Sequence, residues 1–391
     1  MGDIYIAGAV RTAIGKFGGS LSRLSGVDLG VVAAKAALER SGVPPETICE
    51  TYFGHARQGG NGPNPARQVS TRAGVPFESP SITLNQACAS GMRAIALGVA
   101  GIRLGEGDVY LAGGTESMSN TPYMLPRARW GYRLGNGELV DGMYKDGFIC
   151  PIAEQLMGRT AETLAEQYNI SREEQDRYAL QSQQRAAAAV ERLAEEITPV
   201  MIRDRKKNEV PFTTDEHMRP DATLEGMAKL PTIFKDGGTV HAGNSSGITD
   251  GAAAAVVLSE EAAARLNVTP MARIIDYTLV GVDAKIMGIG PVPAVRQLVE
   301  KTGIKLDQID LIELNEAFAA QVLACHRDLQ FDMAKTNVNG GAIAFGHPIG
   351  CTGTRIVVTL LHEMARRQAR YGLATLCVSG GLGMAMLFER V

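Results

Sequence analysis

The sequence predicts an α/β protein built of two similar halves, with a segment of different character inserted between them. Three observations lead there. Short β-rich runs alternate with longer helical patterns, that alternation occurs twice, and a short motif recurs at a nearly constant offset. In the first part Ile4–Val10, Thr51–Gly54 and Val109–Gly113 read as strands, because β-branched and aromatic residues run up to glycine or polar residues. Leu29–Arg40 and Met92–Leu104 carry apolar residues at helical spacing, with Gly42 and Gly105 just past their ends as stop signals. The second part repeats the scheme, with strands expected over Ala272–Val282, Leu311–Leu314 and Ala374–Val378, and helices over Val292–Lys301 and Thr354–Gln368. Val109-Tyr110-Leu111-Ala112-Gly113-Gly114 parallels Leu376-Cys377-Val378-Ser379-Gly380-Gly381 at 380 − 113 = 267 residues, and Cys88 parallels Cys351 at 351 − 88 = 263.

Between the halves, roughly Ser119 to Asn244, the chain changes. It opens with Pro122, Pro126 and a glycine-rich stretch around Trp130–Gly137, then runs through a polar helix over Glu173–Ile197. The basic run Arg203-Asp204-Arg205-Lys206-Lys207 reads as a solvated turn between strands. Insertions of this size in an α/β core carry substrate contacts or a subunit interface.

Bulk composition narrows the function. The 391 residues suggest two or three domains or one large α/β unit, and 45% apolar with 21% charged residues is ordinary globular usage. A net charge of −3 argues against a nucleic-acid partner, which needs a broad basic surface. Six cysteines, Cys49, Cys88, Cys150, Cys325, Cys351 and Cys377, include no CxxC pair and are expected to be reduced; with six histidines they form no metal-ligand spacing, so no metal is expected. The start Met1-Gly2-Asp3-Ile4-Tyr5-Ile6 lacks a signal-peptide pattern, Ile6 stands where myristoylation needs Ser or Thr, and Phe388–Val391 is not a peroxisomal address. With no run of ~18 apolar residues, no membrane span is expected and a cytoplasmic location is. No GxxxxGK[ST] loop, dinucleotide fingerprint or GxSxG elbow occurs.

Four candidates remain for chemistry. Cys88, in Asn85-Gln86-Ala87-Cys88-Ala89-Ser90-Gly91, sits where a β-like run gives way to a helix, and a helix N-terminus favours a thiolate. His347 lies in a Gly- and Pro-rich loop, Asn339 to Gly350, which suits a general base near neutral pH. Cys377 closes a β-like run before Ser379-Gly380-Gly381, where backbone amides can converge on an oxyanion. Asn315, with Glu316, follows the strand Leu311–Leu314 and can orient a water or donate to an oxyanion. Taken singly, each has an equally good reading as a packed core or loop residue.

Together the segments Asn85–Arg93, Asn315–Phe318, Asn339–Gly350 and Cys377–Gly383, in this order, resemble the thiolase family, and the resemblance covers essentially the whole chain. It implies a duplicated α/β/α/β/α five-layer core with an inserted loop domain: an N-terminal half of residues 1–118 plus 245–270, a loop domain of 119–244 over the coenzyme A site, and a C-terminal half of 271–391. It implies that Cys88 carries an acyl group, that His347 takes its proton, that Cys377 moves the proton of the carbon acid, and that Asn315 acts on an oxyanion through a water. It implies coenzyme A contacts at Met157, Arg219, Phe234, Ala242, Ser246, Ile248, Met287 and Phe318, with Arg219 toward the nucleotide phosphates. Coenzyme A and acyl-CoA are then substrates and no cofactor is tightly bound. Relatives are dimers or tetramers, and Trp130–Gly142 falls where tetramer contacts form.

The expected reaction is the condensation of two acetyl-CoA to acetoacetyl-CoA and its reverse. The alternatives are a 3-ketoacyl-CoA thiolase of broader chain length in fatty-acid or aromatic-acid breakdown, a ketoacyl synthase, which Cys377 argues against, and a non-catalytic lipid-binding relative, against which the presence of Cys88, His347 and Cys377 argues. Departures from the family pattern are Leu156, where short-chain relatives often carry histidine, the stretch Cys150–Glu154, Ala87 and Ala89 beside the nucleophile, and Ser379 in place of a glycine.

Overall fold

The computed structural model describes residues 2–204 and 206–391. In the first half the chain runs β1 (Ile4–Thr12), α1 (Gly26–Ser41), β2 (Glu50–Gly54), α2 (Pro65–Arg72), β3 (Ser81–Leu84), α3 (Ser90–Leu104) and β4 (Val109–Ser117). The insertion contributes α4 (Met157–Gln167) and α5 (Arg172–Leu193), after which β5 (Thr249–Ser259) returns to the first sheet. The second half runs β6 (Ala272–Gly281), α6 (Pro291–Thr302), β7 (Leu311–Leu314), α7 (Ala319–Leu329), α8 (Ile349–Arg367), β8 (Tyr371–Val378) and β9 (Leu382–Arg390).

The two sheets have one topology. The first is ordered β3–β2–β4–β5–β1 and the second β7–β8–β9–β6, with Thr336 bridging to Ile312 of β7 where β3 stands in the first. In each, the inner pair is parallel (β2 with β4, β7 with β8) and the next two pairings are antiparallel. The sheets join where Tyr5 and Ile6 of β1 meet Arg273 and Ala272 of β6. The duplication therefore holds element by element, with β4 and β8 starting 371 − 109 = 262 residues apart and α3 and α8 349 − 90 = 259 apart. The glycine match at 267 is not part of it. Gly113 pairs with Ala254 inside β4, whereas Gly380 lies beyond β8 in the left-handed region at φ 90°.

Side-chain alternation makes the layers. On β4, Val109 and Leu111 pack outward with α1 and α2, while Tyr110 and Ala112 pack inward with α3 and α8. On β8, Ala374 and Leu376 face that same central layer and Leu373 and Cys377 face α6 and α7. Helices α3 and α8 thus lie between two sheets, each sheet covered outside by two further helices: five layers. This position explains why the 18-residue window Ala87–Leu104, with mean hydropathy 1.3, is long and apolar enough to cross a membrane yet is 61% buried inside the protein. Reading for long apolar runs overlooked it because Ser90, Arg93 and several glycines interrupt the run.

Element positions follow the sequence expectation within a few residues at their ends. Helix α8 is the largest departure, starting at Ile349 where the pattern suggested Thr354, because its first turn is glycine-rich and carries no apolar stripe. In the insertion the Ser171–Glu174 capping box opens α5, which ends at Leu193 short of the expected Ile197. The basic run caps a hairpin of Val200–Arg203 with Glu209–Phe212, as expected, although Arg205 lies outside the described residues. All six cysteines are free.

Candidate active site

Cys88 stands at the join of β3 and α3. Ala87 before it is held at φ 44°, a left-handed conformation that costs a non-glycine residue about 1–2 kcal/mol. Neighbours secure the kink: the Ala87 amide donates to the Asn85 side chain at 3.1 Å, Asn85 donates to the Ala56 carbonyl at 3.2 Å, and Ser90 Oγ donates to the Ala87 carbonyl at 2.7 Å. The strained turn turns the sulfur out of the sheet toward a cavity.

His347 reaches that sulfur from the other half, with Nε2 3.2 Å from Cys88 Sγ. Its backbone is fixed by the His347 amide donating to the Gly247 carbonyl at 2.9 Å and by Gly346 at φ 96°, where a Cβ would overlap the Thr249 side chain. Only glycine fits there. The ring's other nitrogen, Nδ1, lies 2.6 Å from Thr352 Oγ1, and that hydroxyl is 3.0 Å from the Pro348 carbonyl. A carbonyl can only accept, so we assign the single hydroxyl proton to Pro348 and the Nδ1 proton to Thr352. Nε2 is then bare and faces the thiol as an acceptor. Thr352 sets the tautomer that a base needs.

The electrostatics differ from the sequence expectation on two points. Burial pushes the Cys88 thiol up, although the Ser379 amide and the Arg57 guanidinium pull it back. Desolvation outweighs the helix terminus. Burial, then Arg355 and Arg57, drive His347 down from 6.5 to about 3, so it is a neutral imidazole and not a base poised near neutrality. The resting pair is thiol and imidazole, both uncharged, and charge separates only when an electrophile arrives.

Cys377 is fully buried near the end of β8, opposite Gly383 of β9, and burial with the nearby Cys88 and Cys325 holds its thiol well above the ordinary value. The loop after it is locked by Val282 N–H donating to the Gly381 carbonyl at 2.7 Å, with Gly381 at φ 89°. Asn315 follows β7 with its amide donating to Thr375 at 3.0 Å; its side chain is 1% exposed and neither its oxygen nor its nitrogen has a partner among the described residues. It is not among the residues that line the cavity, so any action on substrate needs an intervening water. Its neighbour Glu316 is structural, accepting from Tyr178 and Ser182 of α5 at 2.7 Å each and from the Ile343 amide at 3.1 Å, which pins the insertion to the His347 loop.

The cavity has a volume of about 630 Å³ and brings Cys88, His347 and Cys377 onto one wall. All eight residues expected to contact coenzyme A, Met157, Arg219, Phe234, Ala242, Ser246, Ile248, Met287 and Phe318, line it too, most of its surface being apolar. They come from separate parts of the chain, stitched by the Ser246 amide donating to Ala317 at 3.0 Å and by Phe234 packing edge-on against Phe318. Leu156 and Ala87 line it as well.

Sequence reading missed three residues here. Thr352 gave only the faint signal of a hydroxyl five positions after a histidine. Glu116 is fully buried in a core strand and accepts from the amides of Ala56, Arg57 and Gly350 at 2.9–3.1 Å, clamping the His347 loop to the first half. Its sequence neighbours Thr115 and Ser117 are polar, so it gave no sign of that role. Arg57, on the cavity wall, gave no signal at all.

Comparison with known proteins points to one family. Residues 4–261 match the thiolase N-terminal domain and residues 268–390 the thiolase C-terminal domain. An acetyl-CoA acetyltransferase of Cupriavidus necator is 49% identical over 392 residues, covering all of both chains. The crystal structure of the Bacillus anthracis acetyl-CoA acetyltransferase superposes with a TM-score of 0.97 at 45% identity, covering 100% of this chain and 99% of that one. Human mitochondrial 3-ketoacyl-CoA thiolase in complex with CoA superposes at 0.96 and 43% identity, covering 100% and 98%. With its duplicated five-layer fold, its paired cysteines and its histidine in one cavity, the chain belongs to the thiolase family.

Proposed function

We propose that the chain is an acetyl-CoA acetyltransferase, condensing two acetyl-CoA to acetoacetyl-CoA and running the reverse thiolysis through an acyl group on Cys88. The observation that carries this is His347 Nε2 at 3.2 Å from the Cys88 thiol, in a cavity shared with a second buried thiol. His347 takes the Cys88 proton as the sulfur attacks the thioester carbonyl. The Cys88 amide and the loop after Cys377 supply donors for the oxyanion, and coenzyme A leaves with the proton of Cys377 while His347 keeps the one from Cys88. The Cys377 thiolate then removes a proton from the methyl of the second acetyl-CoA, whose carbon attacks the acyl group and frees Cys88, which takes its proton back from His347. In cleavage Cys377 returns that proton. His347, with Asn315 through a water, stabilises the enolate oxygen.

The substrate is held by the eight cavity residues, with Arg219 toward the phosphates, and no cofactor beyond coenzyme A is required. Residues 119–244 act as the loop domain over this site, between an N-terminal half of 1–118 plus 245–270 and a C-terminal half of 271–391. A homotetramer is supported by the hairpin of Tyr123–Met124 with Val140–Asp141, whose tip exposes Trp130 at 87% and Leu134 at 97%. Six free thiols are in keeping with a cytoplasmic place in acyl-CoA metabolism.

Intact-mass analysis after incubation with acetyl-CoA tests the roles. Wild type and Cys377→Ala should both gain an acetyl group, Cys88→Ala should not, and Cys377→Ala should fail to condense. An acetylated Cys88→Ala would remove the nucleophile assignment. Rates that rise beyond four acyl carbons would favour the broader 3-ketoacyl-CoA reading.

A further inference from the structure

Arg57 has no role in the reaction as derived, yet its setting is specific. Its side chain lines the cavity beside Cys88 and is 7% exposed, and its Nε is enclosed without a hydrogen-bond partner among the described residues. The backbone is anchored: the Arg57 amide donates to Glu116 at 3.0 Å, and the Arg57 carbonyl lies 2.9 Å from His55 Nε2. Glu116 is occupied by three backbone amides, so it holds the residue's backbone and does not pair with the guanidinium. Room for the guanidinium exists because residue 147 is glycine; a Cβ there would overlap Nη2. Asp146 also lines the cavity but is exposed and forms no ion pair with Arg57 among the described residues.

A buried cation without an anion is costly, and a pocket that keeps one is built to receive negative charge. The phosphates of coenzyme A are not that charge. They belong to the far end of a ligand whose thioester sits at Cys88, where Arg219 and Lys16 also line the wall. Arg57 acts at the reacting end, and its charge is felt by both Cys88 and His347. An acyl chain on Cys88 would extend beyond the thioester into this cavity, whose lining combines Arg57 with apolar Phe148, Leu156 and Ile349. A guanidinium forms a bidentate, charge-assisted pair with a carboxylate.

We propose that Arg57 is a specificity-determining residue that anchors the terminal carboxylate of an acyl chain, so that the site also cleaves 3-ketoacyl-CoA substrates ending in a carboxylate. The inference rests on the thiolase reading. In that cleavage the Cys88 sulfur bonds to the keto carbon and the C2–C3 bond breaks. Its electrons form the enolate of acetyl-CoA, which takes the proton from Cys377. Free coenzyme A then displaces the carboxyacyl group from Cys88 as a new thioester, and the thiol proton returns to sulfur. No oxidant or reductant is involved.

The test uses the full-length protein with free coenzyme A and pairs of 3-ketoacyl-CoA of equal length, five to seven acyl carbons, one ending in carboxylate and one in methyl. In wild type the ratio of kcat/KM, carboxylate over methyl, should exceed one for at least one length. Arg57→Gln should lower that ratio about ten- to hundredfold, the range of a charge-assisted hydrogen bond, and Arg57→Lys should restore part of it. A wild-type ratio below one at every length overturns the proposal without any variant. So does an Arg57→Gln that slows both members equally, which would make Arg57 an electrostatic support for the thiol alone. Acetoacetyl-CoA cleavage in the same wild-type preparation tests the thiolase reading separately: its absence sinks that reading, whereas its presence with an unfavourable ratio sinks only Arg57.

Discussion

Replacing Thr352 by valine keeps the shape of the side chain and removes one oxygen from the least exposed part of the site, since Thr352 is fully buried. The Nδ1–H of His347, now bonded to Thr352 at 2.6 Å, loses its acceptor. An unpaired buried donor costs about 1–3 kcal/mol. The ring can avoid that cost only by moving its proton to Nε2, where it points at the Cys88 sulfur 3.2 Å away and can no longer accept from it. Either course withholds the base from the thiol. At about 1.4 kcal/mol per decade of rate, acylation should slow roughly five- to 150-fold. Single-turnover acetylation of Cys88, followed by intact mass, measures this directly. Thr352→Ser keeps the hydroxyl and should recover most of the rate, and the ¹⁵N shifts of His347 should show Nδ1–H in wild type and loss of that form in Thr352→Val. A valine variant that acylates at the wild-type rate and keeps the Nδ1–H tautomer would refute the tautomer argument.

Three further outcomes follow from the same structure. His347 ionises near 6.5 in the unfolded chain and near 3 when buried, so the unfolded state binds the extra proton between those values and stability falls as pH drops through that window. Urea titrations at pH 7 and pH 4.5 should therefore show a larger loss for wild type than for His347→Gln; equal losses would count against the buried neutral imidazole. Gly346→Ala forces a Cβ onto Thr249 at φ 96° and should destabilise the fold by about 1–3 kcal/mol or more, read as a lower urea midpoint, together with slower Cys88 acylation; an unchanged midpoint would deny the strain. Arg219→Ala should raise KM about tenfold for acetoacetyl-CoA and leave it unchanged for the pantetheine thioester that lacks the nucleotide. A rise for both would move Arg219 away from the phosphates.

How far the sequence can be read depends on whether a feature is local. The strands and helices were legible because alternation and helical spacing are local patterns, and their ends blurred where glycine-rich turns such as Ile349–Gly353 carry no periodic signal. Cys88 and Cys377 were legible as candidates from the small residues and glycines around them. What separated them from ordinary buried cysteines was their order along the chain and their resemblance to thiolases. Glu116 and Arg57 escaped because their meaning depends on partners far off in sequence: Gly350 in the other half, and Gly147 in the insertion.

The amino-acid sequence by itself determined the family, the doubled α/β plan, the identity of the two thiols and the histidine, and the eight residues expected to wrap coenzyme A. Each of these is carried by residue type and order, which survive without coordinates. The tertiary structure alone decided which state those groups occupy. Enclosing Cys88 and His347 between two sheets strips their water, so burial raises the thiol and lowers the imidazole against the pull of the helix terminus. It also decided which nitrogen of His347 is bare, because that rests on a hydroxyl and a carbonyl meeting within 3.0 Å. Finally it left Arg57 on the cavity wall with no ion-pair partner among the described residues, a property of what surrounds a side chain in space, which no reading of its neighbours in sequence can supply.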